Sequence, residues 1–314
     1  MPAPKRQKTP PTMKTKLALL LSVPVVLNAA TALTGRAAHP FFGADAAGGK
    51  VAMVSAAGKV EWEFLCKHPQ DVWVMPDGHY VFAHAGGVME KLENGRTLWE
   101  YNAAPETEVH SCQPLANGNF LLVENGPCRL IEVDTMGNIE KEIDLTPPPA
   151  TVKIHDLVRG VRQSADGHYW VCCKGEQQSE ELDAEGKSLR RIQVDGDVHM
   201  ALKLPDGHLL VALGEGHKIQ ELDANLKVVW ELGENDVPGN PLRLVTGFQR
   251  LPNGNTIVCN YSGDAVLGKQ PQFFEITRDK KVVWEFSDHT NFKTVNQVQL
   301  MDIPGDASRG EILR

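Results

Sequence analysis

Three histidines and an arginine stand where they could do chemistry. His110 and His199 each lie five residues before a leucine, and each leucine leads into a tight-turn pair, Asn117-Gly118 or Asp206-Gly207. His155 and Arg159 belong to a longer segment, His155-Asp-Leu-Val-Arg-Gly-Val-Arg-Gln-Ser164. If that segment bulges, Arg159 takes the position equivalent to His110 and His199; otherwise His155 takes it. Imidazoles titrate near neutrality, so such a group could bind an anion, relay protons or act as a nucleophile. The bland alternative is that each imidazole satisfies a nearby backbone carbonyl. Imidazoles can also ligate a metal, but no carboxylate or cysteine joins these at a telling spacing. No metal and no cofactor are therefore expected.

The elements that must position these residues repeat along the chain. Turn dipeptides recur at Asp77-Gly78, Asn117-Gly118, Asp166-Gly167, Asp206-Gly207 and Asn253-Gly254. Asp-Gly and Asn-Gly supply the positive backbone dihedrals of a tight hairpin. Each is followed by strand-length apolar runs, as in His208-Leu-Leu-Val-Ala-Leu-Gly214 and Lys227-Val-Val-Trp-Glu-Leu-Gly233. A unit of about 40–50 residues with four short strands is the signature of a propeller. Five units are whole. A sixth is divided: Thr294 to Met301 matches a first strand and Glu311 to Arg314 a second, while Lys50 to Ser55 and Val60 to Phe64 supply the third and fourth. The expected fold is all-β, a six-bladed β-propeller with four antiparallel strands per blade. Pairing of N- and C-terminal segments in one blade would close the ring and remove free edges. Trp62, Trp99, Trp230 and Trp284 fall in fourth strands and are expected to pack blade on blade. His79, His168 and His208, just after Asp-Gly turns, look structural or solvated.

Antiparallel neighbours alternate direction, so the tight turns share one face of the ring and the irregular loops share the other. Function sits on loops held by a rigid scaffold. First strands begin on the irregular face and line the channel; near their starts stand Gln70, His110, His155 or Arg159, His199, Thr246 and Asn296. His110, His199, His155 and Arg159 are the catalytic candidates, and Gln70, Thr246 and Asn296 are ligand-binding candidates.

Residues 1–36 differ from the rest. They hold six Lys or Arg and no acid, then the apolar run Leu17 to Leu27 and a cluster of small residues. That is the pattern of a secretory signal with a long basic leader, too short in its apolar part to span a bilayer comfortably. Residues 37–45 read as a linker and 46–314 as the propeller. A periplasmic or secreted location is expected, with no transmembrane span after cleavage. Without those six cations, the balance of 32 basic and 40 acidic side chains moves from −8 to −14. An acidic protein lacks the basic footprint that nucleic acid requires. Six cysteines, without a CxxC pair, are expected to be mostly buried thiols with at most one or two bridges. Closure leaves no edge to pair, so a monomer is expected.

The unit running from Leu251-Pro-Asn-Gly-Asn-Thr-Ile-Val258 to Val282-Val-Trp-Glu-Phe286 resembles the PQQ-like and arylsulfotransferase-like β-propeller repeats of bacteria. Arylsulfotransferases of that fold pass a sulfuryl group through a channel histidine, with other His and Arg side chains stabilising its charge. The resemblance implies His110 or His199 in that role and Arg159 beside it, with His155 a looser match. Thr246 and Asn296 stand where further histidines would be expected. Neither eight blades nor a calcium site is evident, so "PQQ-like" names a repeat and not a cofactor. The functional expectation is an exported propeller that binds a polar or anionic small molecule, a glycan or a partner protein at its channel mouth. An arylsulfotransferase-like enzyme is the alternative, and a lyase or hydrolase using the same channel is a third.

Overall fold

Gly207 shows how the local chemistry sets the architecture. It adopts φ +87°, a left-handed conformation in which a side chain would be strained. Its N–H donates to Leu204 O at 2.9 Å, and Asp206 Oδ1 accepts from His208 N at 3.0 Å. The strands on either side, Val198–Lys203 and Leu209–Leu213, pair antiparallel through this turn. Two more strands, Lys218–Leu222 and Val228–Leu232, complete the sheet. Gly78, Gly118, Gly167 and Gly254 hold φ between +83° and +88° in the equivalent turns.

The computed structural model describes residues 38–146, 150–261 and 267–314. The expected signal segment, residues 1–36, lies outside them. The described chain forms six four-stranded antiparallel sheets, the blades of a β-propeller. Numbered from Val72, their innermost strands are Val72–Val74, Cys112–Pro114, Val158–Gln163, Val198–Lys203, Val245–Arg250 and Gln297–Leu300. Innermost strands are buried nearly throughout, whereas fourth strands such as Thr97–Asn102 alternate between core and solvent. Among the described residues no helix is long and apolar enough to cross a membrane, and all six cysteines are free thiols.

The ring closes through the termini, with one correction. The sixth blade has the order Gln297–Leu300, Phe41–Asp45, Lys50–Val54, Val60–Leu65. Its second strand is Phe41–Asp45, paired from Phe41 with Leu300 to Ala44 with Gln297. The segment expected there, Glu311 to Arg314, makes only one isolated bridge, Leu313 with Arg250. Residues 41–45 are therefore a blade strand rather than linker. The reason is burial: Phe41 packs edge-on against Phe273 and Phe286, each at 4.8 Å between ring centres. Asp45 locks the junction by accepting from Lys293 N, Thr294 N and Thr294 Oγ1 at 2.8–3.1 Å.

The fourth-strand tryptophans do join blades. Trp99 stacks on Phe120 at 4.6 Å and Trp62 packs against Tyr80 at 4.6 Å, while Trp230 Nε1 donates to Arg278 O at 2.9 Å. The histidines after the turns bond to third-strand glutamates of their own blades: His79 to Glu90, His168 to Glu181 and His208 to Glu221, at 2.9–3.0 Å. On the axis, Arg314 enters the channel from the tight-turn side. It is fully buried and meets Asp71 at 3.0 Å, and Arg162 meets the same carboxylate at 2.9 Å.

Candidate functional site

Bulges aim the side chains at the irregular face. The innermost strands of blades 3, 4 and 5 slip register next to Arg159, His199 and Thr246, leaving each of these residues unpaired. A bulge re-aims the side chain that it carries. All three line a cavity of about 460 Å³ at the channel mouth. Arg159, not His155, thus takes the register of His199. His155 sits instead on a short 3₁₀ turn, Ile154–Asp156, and reaches the same cavity from above. His110, Gln70 and Asn296 complete that wall.

Their contacts separate them. Asn296 and Thr246 join blades: Asn296 Oδ1 accepts from Ala46 N at 3.1 Å, its Nδ2 donates to Gln70 O at 2.8 Å, and Thr246 Oγ1 donates to Asn296 O at 2.8 Å. The Gln70 amide forms no side-chain hydrogen bond among the described residues. His110 and His199 are each held by a carboxylate, His110 Nε2 to Glu108 Oε2 at 2.7 Å and His199 Nε2 to Asp197 Oδ2 at 3.0 Å. A carboxylate only accepts, so the neutral rings carry hydrogen on Nε2 and a lone pair on Nδ1. His110 Nδ1 accepts from Arg159 Nη1 at 3.1 Å. His199 Nδ1 has no partner among the described residues.

Glu108 also meets His155 Nδ1 at 2.8 Å, and Arg159 Nη1 lies 3.1 Å from His155 Nε2. The guanidinium therefore touches two imidazoles and the His155 carbonyl, but no carboxylate among the described residues. Lys174 borders the same cavity, 2.7 Å from Asp156 and 3.8 Å from Asp197. Burial, with the charge of Arg159, lowers His110 to about 4 against the pull of Glu108. Burial likewise lowers His199 to about 4, opposed by Asp197. Hydrogen bonds from His110 and His155 hold Glu108 at about 2. At neutral pH His110 and His199 are thus uncharged beside a fixed cation.

Glu108, Asp197, Lys174 and Tyr261 were not anticipated. The first two carried a signal: each acid stands two residues before its histidine, and residues i and i+2 of an extended chain share a face. The others follow a blade register, since the residue after the second strand reaches the rim as Ala85, Lys174, Tyr261 and Ala46.

Gly214 makes room for His199. A Cβ there would lie 2.3 Å from His199 Cδ2 and 2.5 Å from Nε2. Gly214→Ala is expected to cost about 1–3 kcal/mol through overpacking and to break the His199–Asp197 bond. Urea unfolding and the His199 ring proton resonances would show both.

The sequence matches no protein-family model and no curated protein. The fold has solved relatives in shape. A protein of unknown function from Bacteroides caccae is 24% identical, with a TM-score of 0.76 over 83% of this chain and 98% of that one. A streptogramin B lyase is 15% identical, with a TM-score of 0.57 over 82% of this chain and 85% of that one. A catalytically inactive histidine-to-alanine variant of virginiamycin B lyase from Staphylococcus aureus, with quinupristin, is 14% identical, with a TM-score of 0.56 over 82% and 86%. At these identities the likeness is one of fold.

Proposed function

We propose that the channel mouth binds a small molecule bearing a carboxylate, sulfate or phosphate group, with Arg159 as its anchor. The observation that carries this is the guanidinium itself: half-buried, in a cavity of about 460 Å³, and without a carboxylate partner among the described residues. Among the described residues only Nη1 is engaged, so Nε and Nη2 offer the planar fork that suits an oxyanion. Lys174 and the Gln70 amide add donors on the same wall. A glycan or protein partner fits less well, because Tyr261 is the single Phe, Tyr or Trp side chain on the described wall, and such partners are anchored by several.

Calorimetry against a panel of sulfate, phosphate, dicarboxylates and aryl sulfates tests the reading. Arg159→Gln is expected to weaken the best binder about 10- to 100-fold, the worth of one charge-assisted hydrogen bond. Equal affinity in both proteins would remove Arg159 from the site.

A second reading is catalysis by His199, favoured by an Nδ1 without a partner among the described residues and by the orienting Asp197. Arylsulfotransferase-like chemistry would have Nδ1 attack sulfur, forming an N–S bond as the aryl oxygen leaves with the S–O pair. An acceptor hydroxyl would then take the group. A lyase using the same imidazole as a base is the neighbouring possibility, consistent with a lyase of this fold that a histidine substitution inactivates. Turnover of an aryl sulfate with phenol that is unchanged in His199→Gln would dismiss His199 as the nucleophile, and no turnover in either protein would dismiss the transfer reaction.

A further inference from the structure

A second cavity of about 520 Å³ adjoins the first, and the two share His68, Gln70, His110 and His155. Glu108 lines the second and bonds to two of the shared residues. Its Oε2 lies 2.7 Å from His110 Nε2 and 2.8 Å from His155 Nδ1, and one ligand atom from each of the three residues lies within 4.8 Å of the other two. We propose that these three side chains hold a divalent transition-metal ion, of the Zn²⁺ or Co²⁺ kind, at the junction of the two cavities.

Four observations support it. Two imidazole nitrogens and one carboxylate oxygen form a ligand set that such ions accept, with a position left open for water or an anion. Among the described residues Glu108 has no Arg or Lys partner; its close partners are the two imidazoles, at 2.7 and 2.8 Å. The comparable clusters on the tight-turn face differ. There each glutamate beside a lone histidine already carries fixed cations, Arg190 and Lys203 at Glu181, Arg250 and Arg278 at Glu221.

The third observation is support behind the ligand. His110 Nδ1 lies 3.2 Å from Val158 O. An ion on Nε2 places the ring hydrogen on Nδ1, which then donates to that carbonyl, the usual brace of a ligating histidine. Fourth, Thr107 lines the second cavity, and its buried Oγ1 has no hydrogen-bond partner among the described residues. It offers a water on the ion a place to bond.

Metal–ligand bonds of roughly 2.0–2.2 Å put two donors on a tetrahedral ion about 3.4 Å apart. Glu108 and His155 are partly exposed and can open by the half ångström or so that this requires. Arg159 must swing off the two rings, because its charge opposes the ion. The ion and the guanidinium would then flank one anionic ligand from two sides.

That competition separates this proposal from the anion reading. The full chain is titrated with Co²⁺, followed by visible absorption, and with Zn²⁺, followed by calorimetry. One ion per chain is expected. His155→Ala and Glu108→Gln should weaken binding at least tenfold, and His208→Ala, on the opposite face, should leave it unchanged. Arg159→Gln should bind Co²⁺ more tightly while binding the oxyanion about 10- to 100-fold more weakly. No stoichiometric uptake, or affinity that follows His208 rather than His155, would overturn the metal site and leave the anion reading standing. Oxyanion binding unaffected by Arg159→Gln, with Co²⁺ still dependent on His155, would do the reverse.

Discussion

Replacing Asp71 by alanine is expected to lower the stability of the propeller by about 3–5 kcal/mol, the usual cost of removing one partner from a buried ionic group. Asp71 is buried on the axis and serves two guanidiniums at once, Arg162 at 2.9 Å and Arg314 at 3.0 Å. Its oxygens also accept from Val72 N, Cys112 N and Ser111 Oγ at 3.0–3.2 Å. Both arginines lie over the buried Trp73 ring, at 5.1 and 4.4 Å. Without the carboxylate, two like charges would face each other in a space closed to water. Burial already works against the Arg314 charge, lowering it to about 10.

The network also ties blades together. Arg162 Nε donates to Arg314 O at 2.7 Å, and Arg314 Nε donates to Val298 O at 3.0 Å. Blades 1, 2, 3 and 6 therefore meet at one point beneath the channel-mouth cavity. Urea unfolding followed by tryptophan fluorescence measures the loss. Asp71→Leu combined with Arg162→Met and Arg314→Met should recover most of it, because no buried charge is then left alone. A single Asp71→Ala change costing less than about 1 kcal/mol would show that the guanidiniums find other partners.

The features that were legible in the sequence are local ones. Asp206-Gly207 fixes a turn through two adjacent residues, and four such strands in series give a blade whatever the distant chain does. Arg159 was legible as one of two options, and the bulge that chooses it is set by pairing across the blade. Phe41–Asp45 was misjudged because its worth depends on residues more than 240 positions away. The tail misled for a related reason: Ile312 and Leu313 look like strand residues, but Arg314 draws the segment into the channel, toward an aspartate 243 positions earlier. Glu108 and Asp197 are acids spaced to share a face with their histidines, a pairing that metal-ligand spacing does not pick out. Adjacency along an extended chain was the better guide here.

Stability is expected to fall as pH drops from about 6.5 to about 4, and His199 should account for about 3 kcal/mol of that fall. Burial lowers the imidazole from 6.5 to about 4, since its ring has almost no contact with solvent and the nearby Arg159 charge disfavours a second cation. Asp197 opposes the shift without cancelling it. The unfolded chain therefore binds a proton at a pH where the folded chain does not. The contribution is complete above 6.5, declines as pH falls through the window, and is gone below the folded value. Each unit of difference is worth about 1.4 kcal/mol, which gives the figure above. Other groups titrate in this range, His110 among them, so the test is a comparison. His199→Gln keeps an N–H for Asp197 and has no proton to gain. Urea titrations of both proteins at pH 7, 6, 5 and 4 should show the stability gap between them narrowing by about 3 kcal/mol as acid is added. A gap that stays constant would mean that His199 titrates alike in the folded and unfolded chains. In that case the uncharged Nδ1 lone pair, on which any catalytic role of this residue depends, would be absent in mild acid.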